Sequence, residues 1–259
     1  MTRPEIALTV PVGDPSRPLV VLGHSLGTGP LIWERVVPAL AAHYRVTLLS
    51  LPGHDAAPVP TEPFTIEELA DAVAAAVQDL AGGPALYAGV SIGGALGLAL
   101  ALRHPEVFAG AAIIASAASL GSPEGWIERA ALVREQSTSV LVIPSAKVWF
   151  APDSIANEPE ITGRILRVLQ GVSDEGYARC AEALATYDLR DRLGEIRIPI
   201  LAMGGEFDGV APEDRQDETV AGVQNGRKVM ISGAGHQPPA EQAEAVTAAL
   251  LEFFGEVVS

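Results

Sequence analysis

Only one cysteine, Cys180, occurs in the 259 residues, so no disulfide forms within the chain. A lone thiol on a stretch that reads as helix is a small packing residue rather than a reagent. Aromatic side chains are scarce, at 5% of residues, and the 26 glycines suit helices packed closely on a sheet. Basic residues are also few: 17 Lys and Arg face 32 Asp and Glu, a net charge of −15. With no basic patch in view, a nucleic-acid partner is excluded, and an acidic membrane surface repels the chain. An anionic ligand gains nothing from the long-range field and needs a local cation. There is no His-Glu-x-x-His, no cysteine cluster and no Asp-x-Asp loop, so no metal is implied. No Gly-x-Gly-x-x-Gly opens a helix after the first strand, so no cofactor is implied either.

One stretch, 85–102, carries no charge over 18 residues and reaches the threshold length of a membrane span. Gly89, Gly93, Gly94 and Gly97, with Ser91 among them, break it into a strand and a helix rather than one span. Met1-Thr2-Arg3-Pro4-Glu5 leads into a short strand and has no signal-peptide pattern, so a soluble cytoplasmic protein is expected.

Apolar residues make up 48% of the chain, enough for a sizeable core. Leu19–Gly23 and Val46–Leu49 read as buried strands, and between them Trp33, Val36, Val37, Leu40 and Ala41 fall on one helical face. Thr65-Ile66-Glu67-Glu68 opens the next helix with a capping box, and its stripe is Ile66, Leu69, Ala70, Val73, Val77 and Leu80. Further strands are expected at 85–90, 110–116, 198–203 and 228–231, with a last helix over roughly 240–254. Strands alternating with helices predict an α/β fold: a mostly parallel sheet with helices on both faces. Residues 119–194 break the rhythm and read as helices only. The expected organisation is a core of 1–118 plus 195–259, with 119–194 inserted as a helical cap over the strand ends, where such sheets bind ligands.

Two Gly-x-Ser-x-Gly motifs follow strands, at Gly23-His24-Ser25-Leu26-Gly27 and Gly89-Val90-Ser91-Ile92-Gly93. A serine lifted from the sheet by a sharp strand-to-helix turn is an exposed nucleophile, with helix N–H groups aimed at what it attacks. After Gly27 comes Thr28-Gly29-Pro30, which is loop chemistry, whereas an uninterrupted helical run follows Gly93 to Arg103. Ser91 is therefore the candidate nucleophile. The 23–29 loop supplies the second oxyanion donor, so the backbone N–H groups of Leu26 and Ile92 are assigned to that role.

A serine needs a base, and the base needs an orienting carboxylate, in the chain order Ser, acid, His. Only His104 and His236 follow Ser91. His104 closes a helix; His236 sits in the glycine-rich loop 232–239 after a strand and is the candidate base. Asp208, in Gly204-Gly205-Glu206-Phe207-Asp208-Gly209, is the candidate acid, with Glu206 as an exposed loop alternative. Asp214 reads as a helix N-terminal charge, His24 as shaping its loop or facing the substrate mouth, and His43 and His54 as structural residues.

With these residues in place, the chain resembles α/β-hydrolases, and among them the 3-oxoadipate enol-lactonase family. Ser25-Leu26-Gly27-Thr28, Trp33, Pro52-Gly53-His54, Val148-Trp149-Phe150, Gly176-Tyr177-Ala178 and Asp188-Leu189-Arg190 carry the likeness beside Ser91, Asp208 and His236. The resemblance implies a cofactor-free serine hydrolase of a small lactone or ester, with Ser25, Val148 and Trp149 at the substrate. It also shows two departures: Val148 and Ala185 stand where the family has arginines, the first of them expected to meet a substrate carboxylate. Lys147, Arg179 and Arg190 are the substitutes weighed for it. The rival readings are a carboxylesterase with an apolar pocket and a hydrolase-fold ligand receptor with little turnover.

Overall fold

The computed structural model describes residues 4–259. Its frame is a seven-stranded sheet in the order β1-β3-β2-β4-β5-β6-β7. The strands are β1 (Ala7–Leu8), β2 (Leu19–Gly23), β3 (Arg45–Ser50), β4 (Ala85–Val90), β5 (Phe108–Ile114), β6 (Ile200–Gly205) and β7 (Gly226–Ile231). Only β1 runs antiparallel, on the edge against β3. All other pairings are parallel. Parallel strands are covered on both faces, and β2, β4 and β6 are buried along their whole length.

The helices of the core are α1 (Val37–Ala41), α2 (Ile66–Leu80) and α3 (Ile92–Arg103). Between β5 and β6 come α4 (Pro123–Gln136), α5 (Val142–Val148), α6 (Ser154–Asn157), α7 (Pro159–Gly171) and α8 (Asp174–Ala185). Then follow α9 (Glu213–Gly222), α10 (Pro238–Glu241) and α11 (Ala243–Val257). Helix α2 starts as its sequence dictates: Thr65 accepts from the Glu68 N–H and Glu68 reaches back to the Thr65 N–H. It packs against α3, with Ile66, Leu69, Ala70, Val73 and Val77 of its stripe buried. Helix α3 is buried on every side from Ile92 to Ala101, which explains its lack of charge. No helix among the described residues is long and apolar enough to cross a membrane.

Four expected elements are shifted or divided. The single helix expected near 33–41 is a 3-10 turn, Pro30–Trp33, followed by the short α1. Trp33 is fully buried there, and its indole N–H donates to the Gly23 carbonyl at 3.1 Å. Strand β5 ends at Ile114 because Ala115 turns to φ +48°. Strand β6 begins only after Pro199, which has no N–H to give the ladder. The last helix is broken at Gln242 into α10 and α11.

Candidate active site

Ser91 stands between β4 and α3 with φ +57° and ψ −116°, a backbone that L residues rarely adopt. Such strain costs about 1–3 kcal/mol and persists only where neighbours hold it. Here the Ser91 N–H donates to the Ile114 carbonyl at 2.9 Å. The Ser91 carbonyl accepts from Ser116 Oγ at 2.7 Å, and Tyr87 Oη donates to the Gly93 carbonyl at 2.8 Å. The turn is also too tight for side chains at its ends: a Cβ on Gly89 would lie 2.2 Å from the Gly93 carbonyl oxygen. As the first residue of α3, Ile92 has no partner inside the helix for its N–H.

The 23–29 loop comes off β2 beside this turn, and two buried histidines hold it. His24 Nε2 accepts from the Leu51 N–H at 3.1 Å, and His24 Nδ1 lies 2.9 Å from the Ser25 carbonyl. His54 Nε2 accepts from the Gly27 N–H at 3.1 Å, and its Nδ1 lies 3.0 Å from the Pro52 carbonyl. An imidazole that accepts at Nε2 and faces a carbonyl at Nδ1 carries its one hydrogen on Nδ1 and is neutral. Burial lowers the pKa of His24 to about 3, helped by its neighbour His54, and that of His54 to about 4. Ser25 is buried in this loop. Its hydroxyl donates to Gln237 Oε1 at 3.0 Å and lies 3.0 Å from Thr28 Oγ1.

His236 lies in the loop after β7, and its Nδ1 is 3.0 Å from both carboxylate oxygens of Asp208. Asp208 Oδ1 also accepts from the N–H groups of Val210 at 2.8 Å and Ala211 at 3.0 Å, so the carboxylate is fixed from both sides. Both residues are buried. A carboxylate bridging Nδ1 leaves Nε2 as the free, basic nitrogen. Glu206 is exposed and holds the same loop from outside, accepting from Ser232 Oγ at 2.8 Å and the Gly233 N–H at 3.0 Å. These two bonds hold its carboxyl below the usual range. Glu206 thus braces the 232–239 loop while Asp208 meets His236.

Ser91, His236, Ser25 and Leu26 open on one cavity of about 240 Å³. Its other wall comes from the 119–194 segment: Trp126 and Arg129 of α4, Leu141 and Pro144 at α5, then Val148, Trp149 and Tyr177. That segment is joined directly to the base loop. The His236 N–H donates to the Trp149 carbonyl at 2.9 Å. The Glu241 carboxylate accepts from the Ala151 N–H at 2.7 Å, Ser154 Oγ at 2.8 Å and the Gly235 N–H at 2.9 Å. A Cβ on Gly235 would lie 2.6 Å from the Ala151 nitrogen, so only glycine permits this approach.

The remaining residues singled out in the sequence fall outside the cavity. His104 caps α3 and pairs with Asp71 at 2.8 Å, while His43 is exposed. Asp214 lies in the first turn of α9. Cys180 is buried with its thiol pushed well up by burial, which makes it inert. Ala185 lines no part of the cavity. Of the three substitute cations, Lys147 borders a separate surface groove, Arg179 pairs with Glu175 and Glu182, and Arg190 pairs with Asp188. The cation that does line the cavity is Arg129, which the sequence pattern does not single out. Its only signal is the spacing Trp126-x-x-Arg129 on a helix opened by Ser122-Pro123.

A serine on a strained strand-to-helix turn, and an imidazole held by a carboxylate across the same cavity, define a hydrolase of the doubly covered parallel sheet. The chain belongs to the α/β hydrolase fold family, which it matches over residues 18–138. It is a carboxylic ester hydrolase. It is 35% identical over 211 residues to 3-oxoadipate enol-lactonase 2 of Acinetobacter baylyi, covering 81% of this chain and 79% of that one. It is 30% identical over 241 residues to a pimeloyl-[acyl-carrier protein] methyl ester esterase of Neisseria meningitidis, covering 90% of this chain and 76% of that one. The crystal structure of the enol-lactonase from Burkholderia xenovorans superimposes with a TM-score of 0.92 at 32% identity, covering 96% of each chain.

Proposed function

We propose that this protein hydrolyses a small lactone or ester, most closely in the manner of an enol-lactonase, through an acyl-enzyme at Ser91. The single observation that carries this reading is the shared cavity: the Ser91 turn and the Asp208-held His236 open on the same space.

Ser91 Oγ attacks the carbonyl carbon as His236 Nε2 takes its proton. Asp208 keeps the remaining ring hydrogen on Nδ1 and stabilises the imidazolium. The Ile92 and Leu26 N–H groups receive the oxyanion, each worth about 10²-fold or more in rate. Collapse of the tetrahedral adduct breaks the bond to the ring or leaving oxygen, which takes the proton back from His236. For an enol lactone the released enol becomes a ketone, which drives ring opening. His236 then removes a proton from water, and the resulting attack frees the acid and restores Ser91.

The half-exposed Val148, with Leu141 and Pro144 beside it, gives the cavity an apolar flank that also suits a plain carboxylate-free ester. A panel of lactones and short acyl esters, run with the wild type and Ser91→Ala, tests the reading. The expected result is turnover that Ser91→Ala lowers by about 10³–10⁶ in kcat, because the members of the triad act as a unit. Binding without turnover across the panel would favour a ligand receptor instead.

A further inference from the structure

The Leu26 N–H has no acceptor among the described residues, as a donor kept for an oxyanion requires. Leu26 lies between two peptide planes, and a buried imidazole holds each of them. The Ser25 carbonyl shares one planar unit with the Leu26 N–H, and it lies 2.9 Å from His24 Nδ1. The Gly27 N–H, on the next unit, donates to His54 Nε2 at 3.1 Å. With both planes fixed, the two dihedrals at Leu26 keep little freedom, and the direction of its N–H is set.

His54 is anchored in turn. Its Nδ1 lies 3.0 Å from the Pro52 carbonyl, so the ring hydrogen sits there and Nε2 is left to accept. The loop that carries it touches α8: a Cβ on Gly176 would lie 2.5 Å from the Gly53 Cα. Gly27, at φ +78°, is pressed against α7 as well, since a Cβ there would lie 2.6 Å from Leu169 Cδ1. His54 is fully buried and lines no part of the cavity, so it acts on a substrate only through other groups.

We propose that His54 is a positioning residue of the oxyanion hole: its imidazole holds the Gly27 peptide and thereby aims the Leu26 N–H, while Gly53 beside it seats the arrangement on α8. This deepens the hydrolase reading and rests on Ser91 as the nucleophile. An apolar side chain of similar bulk would leave the Gly27 N–H buried and unpaired, and the loop would turn to satisfy it. The loss falls on the transition state, because only there does a negative oxygen occupy the hole.

The test pairs turnover of phenyl butyrate with inhibition by phenylboronic acid, which reads the hole without turnover. Ser91 Oγ adds to boron, its proton passes to His236 Nε2, and a boron-bound oxygen enters the hole. His54→Leu should lower kcat by about 10- to 100-fold, at most the loss of a whole donor, and leave KM within about 3-fold. The inhibition constant of phenylboronic acid should rise in step with the fall in kcat/KM. That of phenol, which offers no tetrahedral centre, should change by less than about 3-fold. His54→Gln, whose Oε1 can accept from the Gly27 N–H, should recover part of both losses. Gly176→Ala suits a helix but drives a methyl group at Gly53, so it should weaken turnover and boronate binding together.

Unchanged boronate affinity in His54→Leu, or equal weakening of boronate and phenol, would overturn the proposal. Boronate affinity untouched by Gly176→Ala would overturn the seat on α8. If His54→Leu does not fold, His54→Gln and Gly176→Ala are judged by the same two inhibition constants. A Ser91→Ala protein that hydrolyses phenyl butyrate at the wild-type rate would overturn the nucleophile reading and the role of His54 with it. An inactive Ser91→Ala beside His54 variants of full boronate affinity would overturn the role of His54 alone.

Discussion

The hydroxyl of Ser25 donates to Gln237 Oε1 across 3.0 Å, so the first Gly-x-Ser-x-Gly serine is tied to the residue that follows His236. The two motifs do different work. Ser91 stands on a strained turn at the cavity. Ser25 is 1% exposed and spends its hydrogen on a structural bond. Gln237 Nε2 is buried with no partner among the described residues, so its Oε1 bond to Ser25 is the side chain's only anchor.

Ser25→Ala is therefore expected to act on stability more than on chemistry. Leaving Gln237 Oε1 unpaired should cost about 1–3 kcal/mol of unfolding free energy, read by chemical denaturation. The kcat should fall by less than about 10-fold, against the far larger loss at Ser91. A kcat collapse in Ser25→Ala with the fold intact would reverse the assignment of the two serines.

Glu241 joins the base loop to the 149–154 strip through the N–H groups of Gly235 and Ala151 and the Ser154 hydroxyl. Glu241→Gln keeps the shape but replaces one accepting oxygen with a donor that faces these N–H groups. The expected result is a loss of about 2–4 kcal/mol in stability, since hydrogen bonds to a charged acceptor are worth about 1.5–3 kcal/mol each. A drop of about 10-fold in kcat/KM should accompany it, because His236 follows its loop. Thermal unfolding and steady-state rates measure both.

His24 and His54 predict the acid limit of the fold. Both are neutral when folded, with pKa values lowered to about 3 and about 4 by burial. In the unfolded chain they protonate below about pH 6.5. Stability from this pair is whole above pH 6.5 and declines as the pH falls toward 4 and then 3, where the folded protein also protonates. The loss should reach several kcal/mol, because each tenfold change in proton affinity is worth about 1.4 kcal/mol. Melting temperature should hold from pH 7.5 to about 6.5 and then fall steadily down to pH 4.5. Imidazole NMR should show His24 and His54 not titrating between pH 8 and 5.

The parts of this molecule that were legible in the sequence are those written in local chemistry. The Ser91 turn was legible because Gly89 and Gly93 bracket it and an unbroken helix follows. The start of α2 was legible because a capping box lies within four residues. Contacts between distant segments were not legible. Gly53 and Gly176 each stood out separately in the sequence. In the structure they touch, and a Cβ on Gly53 would lie 2.4 Å from the Gly176 Cα. Arg129 and Glu241 were missed for the same reason. Each is a charged residue on a helix, which in isolation reads as a solvated face. Only the fold shows that one meets a cavity and the other a pair of loops.

The 2.9 Å bond from the His236 N–H to the Trp149 carbonyl has a consequence for how such a protein can diversify. Any insertion or deletion at 149–151 drags His236 along with the wall, so that strip is frozen by the histidine bonded to it. Helices α4 and α5 bear no such burden. New substrate preferences can be installed there by exchanging side chains, without retuning the reaction each time.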